Sequence, residues 1–322
     1  MSQTIGVVVA TYNGEKYISE QLDSIINQTR QPDVIVISDG GSTDSTLDVC
    51  ESVLKESGID YKLLKSSKKL SVKDNFQKGF INCDAEFIFF SDQDDFWLPH
   101  KIELTMKYLS QENVVMAFTN ATIVDQNLNP MGNNLWSSIS FDQKGTKIFD
   151  QLDKKYLQEI CKHNIVTGMC LGVRSSLKST LLPFSENGIH DVWIAHLAIT
   201  KGKVAAINEE TVLYRQHGNN VVGSTTNLQK SLSHANGYFD RLVARISFIN
   251  DVETRIGDIE ASYIAYYELY KKHLIDRKQF IIREKNPFFY LTRLNSYRLF
   301  ENKYFQIFLK DLIVSLRKKL RG

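Results

Sequence analysis

Three acidic side chains, Asp92, Asp94 and Asp95, fall within four residues directly after the apolar run Phe87–Ser91 (FIFFS). Carboxylates this close repel one another unless a cation neutralises them. An oxygen-rich set at a strand end suits Mg²⁺ or Mn²⁺, which bridges carboxylates to substrate phosphates and keeps some waters. The competing reading is a solvated acidic turn capping the next helix. The apolar strand before it and Trp97-Leu98-Pro99 after it argue for the metal. Two other loops offer small, hydroxyl and acidic groups where a nucleotide could bind: Thr11-Tyr12-Asn13-Gly14 and Asp39-Gly40-Gly41-Ser42-Thr43-Asp44. Tyr12 also reads as a packed core aromatic, Thr11 as a turn residue, and Asp39, Ser42 and Asp44 as helix caps.

The elements that must position these loops alternate between two periods. Ile5–Ala10 (IGVVVA) is a continuous apolar run of the kind found in buried parallel strands. Val34–Ser38, Tyr61–Lys65, Phe87–Ser91 and Val114–Asn120 read as further strands. Tyr17–Asn27, a segment capped by Ser42 or Thr43 and ending near Ser57, Val72–Ile81 and His100–Leu109 read as helices. Strands alternating with helices predict an α/β architecture, a mainly parallel sheet flanked by helices. Its ligands lie at the carboxyl ends of the strands, where the three loops sit. Residues 121–163 are more polar and irregular. Asn164–Val173 reads as a glycine-containing strand, Asp191–Thr200 as a helix, and Val204–Ile207 and Val212–Arg215 as short strands. From about 226 the pattern is mostly helical, interrupted at Gly237, Gly257 and Pro287. These shifts predict a domain over 1–222, with a nucleotide half at 1–120 and an acceptor half at 121–222, followed by a helical basic region at 223–322.

Composition narrows the classes further. With 43% hydrophobic residues the 322-residue chain is globular, and its four Cys show no CxxC or other zinc spacing. No basic leader opens the chain and no stretch of about 18 uncharged apolar residues occurs, so a reduced, cytoplasmic protein is expected. The net charge of +2 conceals a split: residues from 271 onward carry +10, leaving −8 for the rest. A tail of that sign predicts an anionic partner, membrane surface or nucleic acid. No nucleic-acid motif accompanies it, so a membrane is favoured. Phe305, Phe308, Leu309, Leu312, Ile313 and Leu316 recur at helical spacing before Arg317, Lys318, Lys319 and Arg321. Such a helix could lie in a lipid interface, or pack on the catalytic domain or a second subunit.

The ordered segments VVVATYNGEKYI, SDGGSTDST and FFSDQDDFWLPHKI resemble the nucleotide-sugar half of the family 2 glycosyltransferases, which have the GT-A fold. TGMCLGV at 167–173, HDVW at 190–193 and YRQHGNNVVG at 214–223 resemble the bacterial rhamnosyltransferase-like branch, so the likeness spans roughly residues 4–223. It implies that Thr11, Tyr12, Asn13, Asp39, Gly40 and Ser42 line a nucleoside pocket, with Lys73, Asp92 and Gln93 near the nucleotide. Asp94, with Asp92 and His217, would hold Mg²⁺ or Mn²⁺. Asp191 would be the catalytic base, and Gly168 and Trp193 would lie near acceptor or sugar. Lys73 also reads as solvated, His217 as a structural histidine, Trp193 as core, Gly168 as a backbone requirement and His190 as packing. Many relatives carry a second acid where this chain has Gly40.

The resemblance implies an inverting transfer of a sugar, L-rhamnose from dTDP-β-L-rhamnose, to a lipid-diphosphate-linked saccharide. The protein would act in cell-surface polysaccharide synthesis, peripherally on the inner face of the cell membrane. A UDP-hexose or UDP-N-acetylhexosamine donor is the alternative within the class. An inactive binding subunit is the alternative outside it, and a homodimer is left open.

Overall fold

A computed structural model describes residues 3–217, 235–257, 259–283, 294–301, 305–309 and 311–312. They fall into two compact units. One comprises 1–153, 165–184 and 189–223; the other comprises 154–164, 185–188 and 224–322. Two short segments from within the expected acceptor half thus belong with the helical tail.

The first unit is built on a ten-stranded sheet in the order β3-β2-β1-β4-β9-β6-β10-β5, with β7 beside β6 and β8 beside β10. β1 (Ile5–Thr11), β2 (Val34–Asp39), β3 (Asp60–Leu64) and β4 (Phe87–Ser91) are mutually parallel. β1 and β4 are buried almost throughout, which is why their sequences run apolar instead of alternating. The helices between them are α1 (Ile18–Ile26), α2 (Thr46–Ser57) and α3 (Val72–Asn82). α1 buries Ile18, Leu22 and Ile25, one face of a 3.6-residue period. α3 starts where Ser71 Oγ accepts the Asp74 N–H at 3.1 Å.

Beyond β4 the sheet turns mixed. β5 (Phe96–Trp97) and α4 (Lys101–Leu109) precede β6 (Val114–Val124), and β7 (Pro130–Asn134), α5 (Leu135–Ser138), β8 (Thr146–Phe149) and α6 (Lys154–Lys162) follow. The span read as irregular therefore carries regular elements. β9 (Leu171–Arg174) runs antiparallel between β4 and β6. After α7 (Lys178–Leu181) and α8 (His190–Ala198), β10 (Lys203–Arg215) is one bulged strand rather than two short ones. It pairs in parallel with β6 along its length, and this pairing keeps the polar Asn208–Glu210 stretch within the strand.

In the second unit, helices Ala235–Ile256 and Ala261–Arg283 flank Gly257, whose φ is +59°. The first helix runs through Gly237, where a break was expected; Pro287 lies outside the described residues. Tyr263, Tyr267, Tyr270, Leu274, Arg277 and Ile281 are buried at alternating spacings of four and three. The buried Arg277 donates through Nε to Asp311 Oδ2 at 2.8 Å and through Nη1 to Glu301, while the Tyr297 hydroxyl donates to Asp311 at 2.6 Å. The expected tail stripe is divided: Phe308 and Leu312 pack with Phe280 and Tyr297, whereas Phe305 is 58% and Leu309 39% exposed. Ile313, Leu316 and the terminal bases lie outside the described residues.

α3 approaches the sheet through Gly79, where an added Cβ would lie 2.4 Å from Val8 Cγ1 and 3.2 Å from Ser38 Cβ. Gly79→Ala should therefore cost about 1–3 kcal/mol of stability, as overpacked cores do. Urea unfolding checks this, and the double variant with Val8→Ala should recover part of the loss. An unchanged midpoint for Gly79→Ala would show that α3 moves away freely.

Candidate active site

The carboxyl ends of β1, β2 and β4 bring three loops together, and hydrogen bonds lock them. Gln93 spans to the first loop: its Oε1 accepts the Tyr12 N–H at 2.9 Å and its Nε2 donates to Tyr12 O at 3.2 Å. Asn13 takes a positive φ of 48°; its N–H donates to Ser42 Oγ at 2.9 Å and its Oδ1 accepts the Thr43 N–H at 2.9 Å. Asn75 of α3 accepts from Ser38 Oγ at 2.8 Å and donates to Thr11 O at 2.9 Å.

Asp39 organises the second loop. Its carboxylate is fully buried and accepts the Gly41 and Ser42 N–H groups at 3.0 and 2.8 Å, together with the Thr11 and Ser42 hydroxyls. Ser42 and Thr43 thus join loops rather than cap α2; Asp44 accepts the Thr46 N–H at 3.1 Å. The Tyr12 ring is half-buried, with Lys69 Nζ 4.3 Å from its centroid. Lys69 was missed because nothing in its sequence context distinguishes it from a solvated lysine. Lys73 is largely buried, its Nζ 3.0 Å from Asp74 Oδ1.

The acidic loop faces residues at the end of β10 and just beyond it. Asp94 Oδ2 lies 2.9 Å from His217 Nε2. Asp95 is buried; one oxygen accepts the Arg215 N–H at 3.1 Å, and the other, Oδ2, has no hydrogen-bond partner. Burial and the charges of Asp94 and Asp92 push the Asp95 carboxyl well above the usual range. Asp92 is pushed up to about 7 by burial, then by Asp94 and Asp191. Lys101 is buried with Nζ 4.6 Å from the Trp97 ring, and burial lowers its pKa to about 8.

Asp191 stands in the first turn of α8, where the helix dipole favours an anion. It is 4% exposed, and its Oδ2 accepts the Gly168 N–H at 3.2 Å. Gly168 is required by close approach: a Cβ there would lie 2.6 Å from His190 Nε2. His190 is packing, as its sequence context suggests. It stacks on Phe76 at 4.0 Å, and burial lowers its pKa to about 3. Trp193 needs correction as a sugar-facing residue. Its indole is buried and donates to Leu181 O at 2.7 Å, because α8 turns that side inward.

Among the described residues no group of three metal-ligating side chains is preassembled. The site nevertheless fits a divalent cation. Asp94 and His217 converge as one carboxylate and one imidazole, beside carboxyls whose repulsion raises the pKa of Asp92. Two protein ligands completed by phosphate oxygens and water suit Mg²⁺ or Mn²⁺.

A carboxyl whose folded pKa lies above its ordinary 3.8 holds a proton that the unfolded chain has released. The stability Asp92 contributes is full below pH 3.8 and is lost as pH rises through about 7. In EDTA, Asp92→Asn should therefore melt higher than the parent at pH 8, and the difference should vanish or reverse at pH 5. The same difference in Tm at both pH values would show that Asp92 is not held protonated.

Comparison with known proteins places these features in context. The sequence model of Glycosyl transferase family 2 matches residues 6–180. The chain is 31% identical over 233 residues to the dTDP-rhamnosyl transferase RfbG of Shigella flexneri, covering 67% of this chain and 74% of that protein. It is 25% identical over 229 residues to the Escherichia coli UDP-Glc:alpha-D-GlcNAc-diphosphoundecaprenol beta-1,3-glucosyltransferase WfaP, covering 68% and 80%. The fold is similar to that of S. aureus TarS 1-349 in complex with UDP-GlcNAc: TM-score 0.62 and 16% identity over 88% of this chain and 75% of that one. From its three ordered loops, its mixed sheet and a family match over more than half its length, the chain belongs to glycosyl transferase family 2.

Proposed function

We propose that this glycosyltransferase is inverting and metal-dependent, and moves L-rhamnose from dTDP-β-L-rhamnose to a lipid-diphosphate-linked saccharide during bacterial cell-surface polysaccharide synthesis. The observation that carries the chemistry is the convergence of Asp94 and His217 beside Asp92, whose carboxyl also feels the charge of Asp191. The rhamnosyl donor rests on the likeness to RfbG. A UDP-hexose donor is the second reading, favoured by the likeness to WfaP, whose name also supplies the lipid-diphosphate acceptor.

Asp191 takes the proton of an acceptor hydroxyl as its oxygen attacks the anomeric carbon. The bond from that carbon to the diphosphate breaks, and its electron pair leaves with the nucleoside diphosphate. Asp94 and His217, with Asp92, would hold the divalent cation, which when bound would supply positive charge near the departing diphosphate. The loops locked by Gln93, Asp39 and Asn75 orient the nucleoside, with the Tyr12 ring and Lys69 at its margin. No covalent intermediate is required, so the configuration inverts.

Asp191→Asn, nearly isosteric, should lower kcat by about 10²–10⁴ while donor affinity persists. Hydrolysis and transfer measured with a panel of dTDP- and UDP-sugars test this and identify the donor. Parental turnover in Asp191→Asn would move the base elsewhere, and full activity in excess EDTA would remove the metal.

No helix among the described residues is long and apolar enough to cross a membrane. Attachment to the inner face through the tail is supported by its +10 charge and by the exposed Phe305 and Leu309. Deleting the tail would strand the buried Arg277 without Glu301 and Asp311, so point variants are the cleaner probe. Phe305→Ser with Leu309→Ser should reduce flotation with anionic vesicles while leaving the melting temperature unchanged. Undiminished flotation would sink this route of attachment.

A further inference from the structure

We infer that Tyr17 and Glu20 are positioning residues for the Asp94–His217 pair, acting through Arg215. The inference rests on the reading of Asp94 and His217 as metal ligands. Arg215 is buried at the end of β10, and its polar groups reach three other parts of the first unit. Nε donates to Asp94 O at 2.7 Å, Nη1 donates to Gln126 O at 2.6 Å in the turn between β6 and β7, and Nη2 donates to Glu20 on α1. Its backbone N–H holds Asp95. One side chain therefore fixes the backbone of the acidic loop against a helix and a turn.

Tyr17 completes the arrangement. Its ring centroid lies 4.7 Å from the Arg215 guanidinium carbon and 5.0 Å from the His217 ring centroid, with the two rings inclined at 30°. His217 follows two residues after Arg215, just past the end of β10, and both side chains reach the Tyr17 ring. The phenol ring spans that pair, giving the guanidinium a π face and the imidazole a wall. Glu20, its side chain 47% exposed, supplies the charged partner that holds the guanidinium plane in register.

The start of α1 thereby controls two distances: that of Asp94, through the carbonyl gripped by Arg215, and that of His217, through the ring contact. Glu20 lies outside the motifs that suggested chemistry, and Tyr17 stands near the end of VVVATYNGEKYI, where the residues from Thr11 to Asn13 drew notice instead. Arg215 lies within YRQHGNN, where only the histidine drew notice.

The test is calorimetric titration of the full chain with UDP and with dTDP, each with and without Mn²⁺, alongside thermal unfolding. In Glu20→Gln and Tyr17→Ala, the gain in nucleotide affinity conferred by Mn²⁺ should fall about tenfold, the scale of outer-sphere substitutions at metal sites. Metal-free affinity and Tm should stay parental, and Tyr17→Phe, which keeps the ring, should retain the full gain. Arg215→Lys should not rescue the gain, because an ammonium cannot reach three acceptors in one plane. A parental Mn²⁺ gain in both Glu20→Gln and Tyr17→Ala overturns the proposal. So does a parallel fall in metal-free affinity and Tm, which marks a purely structural role. A parent that shows no Mn²⁺ gain instead overturns the metal reading, and this proposal with it.

Discussion

Negative charge concentrated at the end of one buried strand is the constraint to which the rest of the first unit answers. Asp92, Asp94 and Asp95 follow β4 directly, and Asp191 is close enough to help raise the pKa of Asp92. Where carboxyls are partly desolvated such repulsion is screened weakly, so it must be met by protons, fixed cations or a bound ion. Asp95 is driven toward its neutral form and Arg215 places a guanidinium behind the loop. On the proposed reading, Asp94 with His217 would offer one carboxylate and one imidazole to a cation as the third answer. The long parallel pairing of β10 with β6 delivers Arg215 and His217 to the same edge as β4, although more than 120 residues separate them from the acidic loop.

The loops after β1 and β2, which the proposed function assigns to the nucleoside, meet a different demand, that of internal order. Asp39 uses both carboxylate oxygens on its own loop and on Thr11, and so ties the two loops together. Gly40 sits against this framework: a Cβ at position 40 would come within 3.2 Å of Asn75 Nδ2, and Asn75 carries the hydrogen bonds that join β1, β2 and α3. A framework fixed in this way loses little conformational freedom when ligand arrives, which favours binding without adding contacts.

The helical unit follows another rule. Burying Arg277 is tolerable only because Glu301, Asp311 and Tyr297 saturate its surroundings, with His273 between Ser296 and Glu301. Arg277 is shared between two carboxylates, so these helices hold together through ions as well as through their aromatic stripe. Phe308 and Leu312 belong to that interior, whereas Phe305 and Leu309, like Leu269 and Leu299, are exposed.

Local pattern alone determined the parallel half of the sheet, its helices and the three loops at the strand ends. A buried parallel strand must be apolar throughout, and a helix packed on it must repeat every 3.6 residues. The acidic run after FIFFS and the histidine of YRQHGNN were legible as types of group suited to a metal. Which groups meet was decided by tertiary structure. The antiparallel β9, the unbroken β10 and the elements within 121–163 depend on pairings between distant segments, which leave weak local periodicity. Trp193 and its neighbour Asp191 share one helix, yet only the packing of α8 directs the indole to Leu181 and the carboxylate to Gly168. Tyr17, Glu20 and Arg215 are ordinary residues in sequence. They acquire roles because α1, β10 and the acidic loop converge at one edge, and contacts across such chain distances leave no spacing to read.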